Sequence, residues 1–429
     1  MPKPSSPELN LTAGADRSVW LRVGALFDGV SRQPIAPAHL VYNARALLHV
    51  GAASPPADIL PPGQSQPNAD LPRHTALPGL IEAHAHFFLE GGETDAAKRA
   101  AYLTQTPEVL LAEARKRLAP LARLGVVGVR DAGDKHGVGL ALAKLCQNAS
   151  RPLMPYIDSP GAALHRRGRY GSFMGEPMEN FPSPSAAVEA RVREGAARIK
   201  LIATGIIDFK KGAVTTEPQM TSEEIGAFTA AARNFGRQTF AHATGTPGIE
   251  RVIEGGADSV EHGFFVTDEQ LAKMRDRQIA WVPTFAPVQF QVDAAAPLGW
   301  DATVTANLQR ILDRHAASLR KAHDLGVLIV AGSDAGSFGV PHGFGFLWEL
   351  ELMERAGLPT EAVIRAATGT SAGRLGFAEK FGQLKPSWSS RFLLTEHSPL
   401  EKIENLRRPK IVIFDGAPLE SGEIDAAGL

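Results

Sequence analysis

Leu77–Glu93 reads LPGLIEAHAHFFLEGGE, with His84 and His86 one residue apart behind an apolar run. Ile81 to His86 has the character of a short strand, and strand side chains alternate between faces. The two histidines therefore share one face and Ala85 takes the other. Two neutral imidazoles on one strand face can bind a single divalent cation. A hydrogen-bonded pair at a strand end fits the same motif, so the choice depends on what else the chain brings to that place.

Outward from this stretch, short apolar strands alternate with helical segments. The strands read GLIEAHAH, VVGVRDAG from Val126, LMPYIDS from Leu153, RIKLIAT from Arg198, QTFAHA from Gln238, DSVEHG from Asp258, IAWVPTF from Ile279 and VLIVAGSDAG from Val327. Between them lie helical stretches such as TSEEIGAFTAAARNFG, which opens with a capping pattern, and NLQRILDRHAASLRKAHDLG. Strands each followed by a helix predict parallel pairing in an α/β fold, a (β/α)8 TIM barrel. An open doubly wound sheet would place a glycine-rich phosphate loop after its first strand, and none is present.

Strand-like pieces also occupy both ends: VWLRVGALFDG, HLVYN and ALLHVG before the barrel, RFLLTE and KIVIFDG after it. The connector SPPADILPPGQSQPNADLP is too rich in proline for a regular helix. The expected organisation is a barrel over residues 78–383 flanked by a small β-sandwich formed from residues 1–77 and 384–429.

The 429 residues are 44% hydrophobic and 21% charged, with 45 basic and 46 acidic side chains. Such a balance argues against a general nucleic-acid or anionic-membrane surface, though a local basic patch is compatible with it, and a small-molecule substrate is the expected partner. Cys146 is the only cysteine, which excludes an intramolecular disulfide and thiolate metal sites; within LALAKLCQNA it reads as a core residue. MPKPSSPELN has no apolar segment of signal-peptide type, and no apolar run approaches the roughly 18 residues of a membrane span. A cytoplasmic homo-oligomer is the expectation.

The C-terminal strand ends of a barrel meet at one face, where active sites form. His84, His86, Lys200, His242, His262 and Asp334 stand at or near such ends. Imidazoles and a carboxylate suit a divalent metal. Lys200 does not, unless burial beside cations makes it a neutral amine. A neutral amine can add carbon dioxide, and the resulting carbamate can bridge two metals. The other reading pairs Lys200 with an acid inside the barrel.

The loop SPGAALHRRGRYGSFMGEPMENFPSP after strand three carries His165, Arg166, Arg167, Arg169 and Tyr170. It is expected either to form a lid whose arginines bind a substrate carboxylate or to be a solvated basic loop. His136 after strand two and His342 after strand eight lie near the same face and are further candidates for substrate contact. His39, His49, His74, His315, His323 and His397 read as surface or structural residues.

LPGLIEAHAH, IKLIATG, AHA, EHG and GSDAG resemble the strand motifs of the amidohydrolase superfamily in its two-metal, carboxylated-lysine form. PHGFGFLWELELMERAGLPTEAVIRAATGTSAGRLG and SPLEKIENLRRPKIVIFDG are similar to the end of the barrel in its prolidase-like and imidazolonepropionase-like branch. The resemblance implies that His84, His86 and Asp334 hold the more buried metal, that His242 and His262 hold the second, and that carbamylated Lys200 bridges both. It implies a shared hydroxide attacking an amide carbonyl, with Asp334 as the catalytic proton acceptor and donor, and zinc as the expected metal. The substrate would be dipeptide-like or an N-acyl amino acid. Alternatives are a cyclic-amide hydrolase, a one-metal deaminase, against which Lys200 speaks, and a non-catalytic scaffold. The segment ATGIIDFKKG departs from the Gly-Gly usual in dipeptidase relatives, PSWSSRFLLTEHS lacks the usual Ala-Asp-Leu, and the strand-three loop argues against simple dipeptides.

Overall fold

A computed structural model of the chain describes residues 10–147, 153–377 and 379–421. Strands from the two ends join one seven-stranded sheet. Its spatial order is Ala417–Ser421, Lys410–Phe414, Arg391–Thr395, Ala69–Pro78, Val19–Leu26, Ala38–Tyr42 and Leu47–Gly51. The ends meet where Arg391–Thr395 runs antiparallel to Ala69–Pro78, with Leu393 opposite Leu77. A separate core, including Leu21, Leu40, Tyr42, Phe392 and Ile413, packs against this sheet.

The hydrogen bonding runs continuously through this one sheet, which curls so that the Tyr42 and Phe392 rings meet, 5.1 Å between centroids, although two strands lie between theirs. One feature differs from expectation. Ala69–Pro78, which begins inside the proline-rich connector, is a full strand. Its Pro72 is tolerated because the ladder to Val19–Leu26 shifts register there, and Gly24 lets the two backbones approach: a Cβ on Gly24 would lie 2.0 Å from the Pro72 carbonyl oxygen.

The middle of the chain is an α/β assembly of parallel strands. Leu80–Ala85, Val126–Asp131 and Tyr156–Asp158 form one run. Ala280–Val282, Ser259–His262, Gln238–Ala243 and Arg198–Ile202 form another, extended by Ala163–His165 and Gly175–Pro177 from the strand-three loop. The segment 328–335 links the two runs through parallel bridges, Trp281 to Ile329 on one side and Ala85 to Ala335 on the other. Opposite, the Ala197 amide donates to Ser159 at 2.9 Å, and a buried Arg198–Asp158 ion pair at 2.7 Å crosses the same gap. Leu80–Ala85 is buried at every position, as expected for strands covered on both faces.

Helices cover the outside. The one over Ser222–Asn234 starts with the capping box that its sequence predicts, Thr221 with Glu224. Ala302–Leu325 ends at Gly326 in the left-handed conformation that suits a helix C-terminus. Among the described residues, no helix is long and apolar enough to cross a membrane.

Strand one and the segment 328–335 touch at Gly332. A Cβ there would lie 2.8 Å from the His84 nitrogen, 2.9 Å from the His84 Cβ and 2.7 Å from a Val282 methyl. Gly332→Ala is therefore expected to destabilise the fold by about 1–3 kcal/mol through overpacking. Urea unfolding reads the loss; an unchanged midpoint would show that the neighbours yield freely.

Candidate metal centre

Strand alternation sends His84 and His86 into the same space, and the segment 328–335 delivers Asp334 beside them. The Nε2 atoms of His84 and His86 lie 3.5 and 3.4 Å from Asp334 Oδ1. Ligand atoms of these three residues fall within 4.8 Å of one another, a spacing that can hold a metal ion. His242 and His262 close the other side, with ring centroids 4.6 Å apart, and His262 lies 5.0 Å from His84. Together with Lys200, all five line a single cavity of about 250 Å³.

Each imidazole has one nitrogen engaged. His84 Nδ1 donates to Glu261 at 2.5 Å, His86 Nδ1 to the Gly133 carbonyl at 3.2 Å and His242 Nε2 to the Gly205 carbonyl at 3.1 Å. His262 Nδ1 pairs with the Thr284 hydroxyl at 2.8 Å. Carboxylates and carbonyls only accept, so the bonds of His84, His86 and His242 fix their tautomers and leave the second ring nitrogen of each with a lone pair.

His262 and Asp334 both have positive φ, +65° and +59°. For His262 this breaks the alternation of Ser259–His262. Glu261 keeps the inward face that it shares with Ser259, and the turn at the strand end swings His262 toward the same space. Left-handed backbone at a non-glycine residue costs energy and tends to collect at functional sites.

Among the residues that line this cavity, two buried polar atoms have no hydrogen-bond partner, Lys200 Nζ and His84 Nε2. Lys200 Nζ faces the Phe240 ring, 4.6 Å from its centroid. Buried polar groups are normally satisfied, so these orphans fit a group that binds at this place. Burial, reinforced by Lys200, pushes His86 down to about 3 and His242 down to about 4; His84 and His262 fall well below their ordinary value. Burial lowers Lys200 to about 8, with Glu261 resisting and Arg130 assisting. Burial raises Asp334 to about 7 against the Ser337 hydroxyl bond. Neutral imidazoles are the form that binds metal, and a neutral amine is the form that adds carbon dioxide.

The structure places the expected substrate contacts less uniformly. Tyr170 lines the cavity, its ring 5.3 Å from that of His242. The three arginines do not. Arg166 pairs with Glu224 at 2.6 Å, Arg167 with Asn180, and Arg169 donates to the Glu217 carbonyl at 2.6 Å. These bonds hold the loop to its neighbours, so the expected arginine lid is absent from the cavity wall. His165 is buried and its Nδ1 donates to the Arg166 carbonyl at 2.8 Å. His136 lies outside the wall, its ring 6.3 Å from Phe88. His342 stacks on Phe87 and donates to the His86 carbonyl at 3.1 Å, so it braces the strand that carries His86. Sequence reasoning missed Glu261 and the apolar wall formed by Phe173, Ile206, Ile207, Phe209 and Phe338. For Glu261, strand alternation with Ser259 was an available signal; for the wall, which comes from loops, none was.

This is a hydrolase fold with a nitrogen- and oxygen-lined centre at the strand ends. The chain belongs to the amidohydrolase family, whose model matches residues 75–419. It is thus an enzyme of the prolidase-like branch that hydrolyses carbon–nitrogen bonds. Ochratoxinase of Aspergillus niger is 27% identical over 435 residues, covering 93% of this chain and 86% of that protein. Among solved structures, a Xaa-Pro dipeptidase with bound methionine superposes with a TM-score of 0.78 at 26% identity, over 94% of this chain and 100% of that one. The A. niger ochratoxinase structure superposes with a TM-score of 0.77 at 23% identity, over 94% and 96% of the two chains.

Glu349, beside the centre, is fully buried and accepts bonds from the Phe285 and Ala286 amides at 2.9 and 2.7 Å. Burial raises it to about 8, with Glu82 and Asp334 adding repulsion. A raised carboxyl stabilises the fold below its unfolded value, and that stability is lost as pH rises through the folded value. The contribution of this group should therefore fall from about pH 4.5 to 8, by at most about 1.4 kcal/mol per pH unit, while the lowered histidines act in the opposite sense below about pH 6.5. Glu349→Gln should flatten that decline. Parallel slopes for variant and wild type in pH-dependent unfolding would remove Glu349 from this role.

Proposed function

We propose that the chain hydrolyses an amide carrying a bulky apolar group, of the N-acyl amino acid type. The observation that carries this reading is the cavity: a polar floor of metal-ligand type under walls that are mainly aliphatic and aromatic, with no arginine among its lining residues. We also read the parallel strands as one closed (β/α)8 barrel over residues 78–383, supported by the bridges from residues 328–335.

His84, His86 and Asp334 would hold one divalent metal and His242 with His262 a second, zinc being the expected ion, with carbamylated Lys200 between them. When bound, the metals supply Lewis acidity and lower the pKa of water. The chain's own groups do the rest. Asp334 takes the proton of the attacking water and passes it to the leaving nitrogen. Its Oδ2 is engaged by Ser337 at 2.8 Å, which leaves Oδ1 facing the histidines. The apolar walls exclude water from the reacting amide and hold the substrate's hydrophobic part.

Lys200→Ala should lose at least one equivalent of metal and at least about 100-fold in turnover, above the range for losing an outer-shell partner alone. Propionate should restore part of the activity by filling the bridge. A fully metallated, active variant would sink the carbamate assignment.

The wall also sets an expectation for selectivity. Ile206 is 53% exposed yet lines the cavity with Phe209, and Asn307 holds their loop by donating to the Phe209 and Lys210 carbonyls at 3.2 and 2.9 Å. Phe209→Ala should lower kcat/KM roughly 10- to 100-fold for aromatic N-acyl amino acids, the scale of a few missing apolar contacts. N-acetyl substrates should change less than about threefold. Equal losses for both classes would show that Phe209 supports the fold rather than the substrate.

A further inference from the structure

We propose that Glu261, clamped by Arg130, is a positioning residue that fixes the ring of His84 for metal binding. The inference rests on the reading of His84 as a metal ligand.

Glu261 is completely buried, and its Oε2 takes the His84 Nδ1 proton at 2.5 Å. Its other contacts are equally specific. Arg130 Nη2 reaches the two carboxylate oxygens at 2.9 and 2.8 Å, and the Ser259 hydroxyl donates to Oε1 at 2.5 Å. Arg130 makes two further bonds in the same cluster, from Nη1 to Ser259 at 3.0 Å and from Nε to the Ala83 carbonyl at 2.6 Å. Ala83 precedes His84, so one guanidinium ties the backbone of the His84 strand to the carboxylate that grips its ring. The guanidinium carbon also lies 4.3 Å from the centroid of the Phe240 ring, which Lys200 Nζ approaches at 4.6 Å.

This arrangement has a consequence that the other ligands lack. His86 and His242 are held by neutral carbonyls and His262 by a hydroxyl. Among the four, His84 alone is held by a carboxylate. An anionic acceptor locks the Nδ1–H tautomer, aims the Nε2 lone pair at Asp334 and raises the basicity of the ring. The carboxylate persists there because Arg130 pairs with it; a buried charge without a partner would be costly. The effect of the clamp should therefore fall on one of the two metal positions, the one that His84 shares with His86 and Asp334.

The test is zinc titration of the full-length, metal-stripped protein against a chromophoric chelator. Wild type should bind two equivalents; if it does not, the proposed function fails, and this inference is not what was wrong. Given two equivalents, Glu261→Gln should weaken one zinc step roughly 10- to 100-fold and leave the other within about threefold. The paired variant Arg130→Met with Glu261→Gln removes both charges and should show the same one-site loss if the single variant folds poorly. Independently, the ring ¹⁵N shifts of His84 in metal-free wild type should report the Nδ1–H tautomer, a signature that packing alone does not set. Unchanged zinc affinity at both steps in a folded variant, or an Nε2–H tautomer in the wild type, overturns the proposal.

Discussion

A lysine amine lies buried at the strand ends among four imidazoles. An ammonium there has lost its water, and the acids that would favour it are Glu261, already bound to Arg130, Asp334 and Asp131. The surroundings respond in a consistent direction. Burial lowers Lys200 and the histidines and raises Asp334, so charge is withdrawn from the site in every protonation equilibrium. A pocket of neutral amines and imidazoles is unstable as ordinary packing, because its lone pairs and donors go unanswered. It is well suited to receive cations that answer several lone pairs at once.

A second layer keeps that neutral cluster in place with carboxyl groups that lie outside the cavity lining. Glu82 accepts from the His84 amide and from both the amide and hydroxyl of Ser333, and so binds strand one to the segment that presents Asp334. Asp131 accepts from the Phe87 and Gly133 amides, and the Gly133 carbonyl in turn holds His86. Glu349 fixes the amides that follow Thr284, the partner of His262. Ligand-bearing strands are thus joined below the site by buried hydrogen bonds, which explains how residues with positive φ at the strand ends can be held without rearranging.

Much of the central assembly was legible because it follows from local periodicity. Alternation put His84 beside His86, apolar runs marked the parallel strands, and Thr221 with Glu224 announced a helix start that the structure contains. The arginines of the strand-three loop were not legible. Whether Arg166 meets a substrate or Glu224 depends on a helix more than fifty residues away, and composition cannot distinguish the two. Prolines hid the strand Ala69–Pro78, since a register shift that excuses Pro72 is a property of two strands and not of one. The apolar wall was hidden for a related reason: its residues come from separate loops, none of which has a period of its own.

That division bears on how such an enzyme can change substrate without rebuilding its chemistry. The polar floor is carried by strands and braced from below, whereas Phe173, Ile206, Ile207, Phe209 and Phe338 lie outside the strands. Loop residues tolerate substitution because few buried partners depend on them. A strand residue such as Glu261 does not, because it is bonded both to His84 and to Arg130 on two other strands. Sequence drift among relatives about 27% identical is therefore expected to accumulate in the wall and spare the floor. The departure at ATGIIDFKKG is a case in point: it leaves Lys200 untouched and places Ile206, Ile207 and Phe209 where a substrate's apolar group would rest.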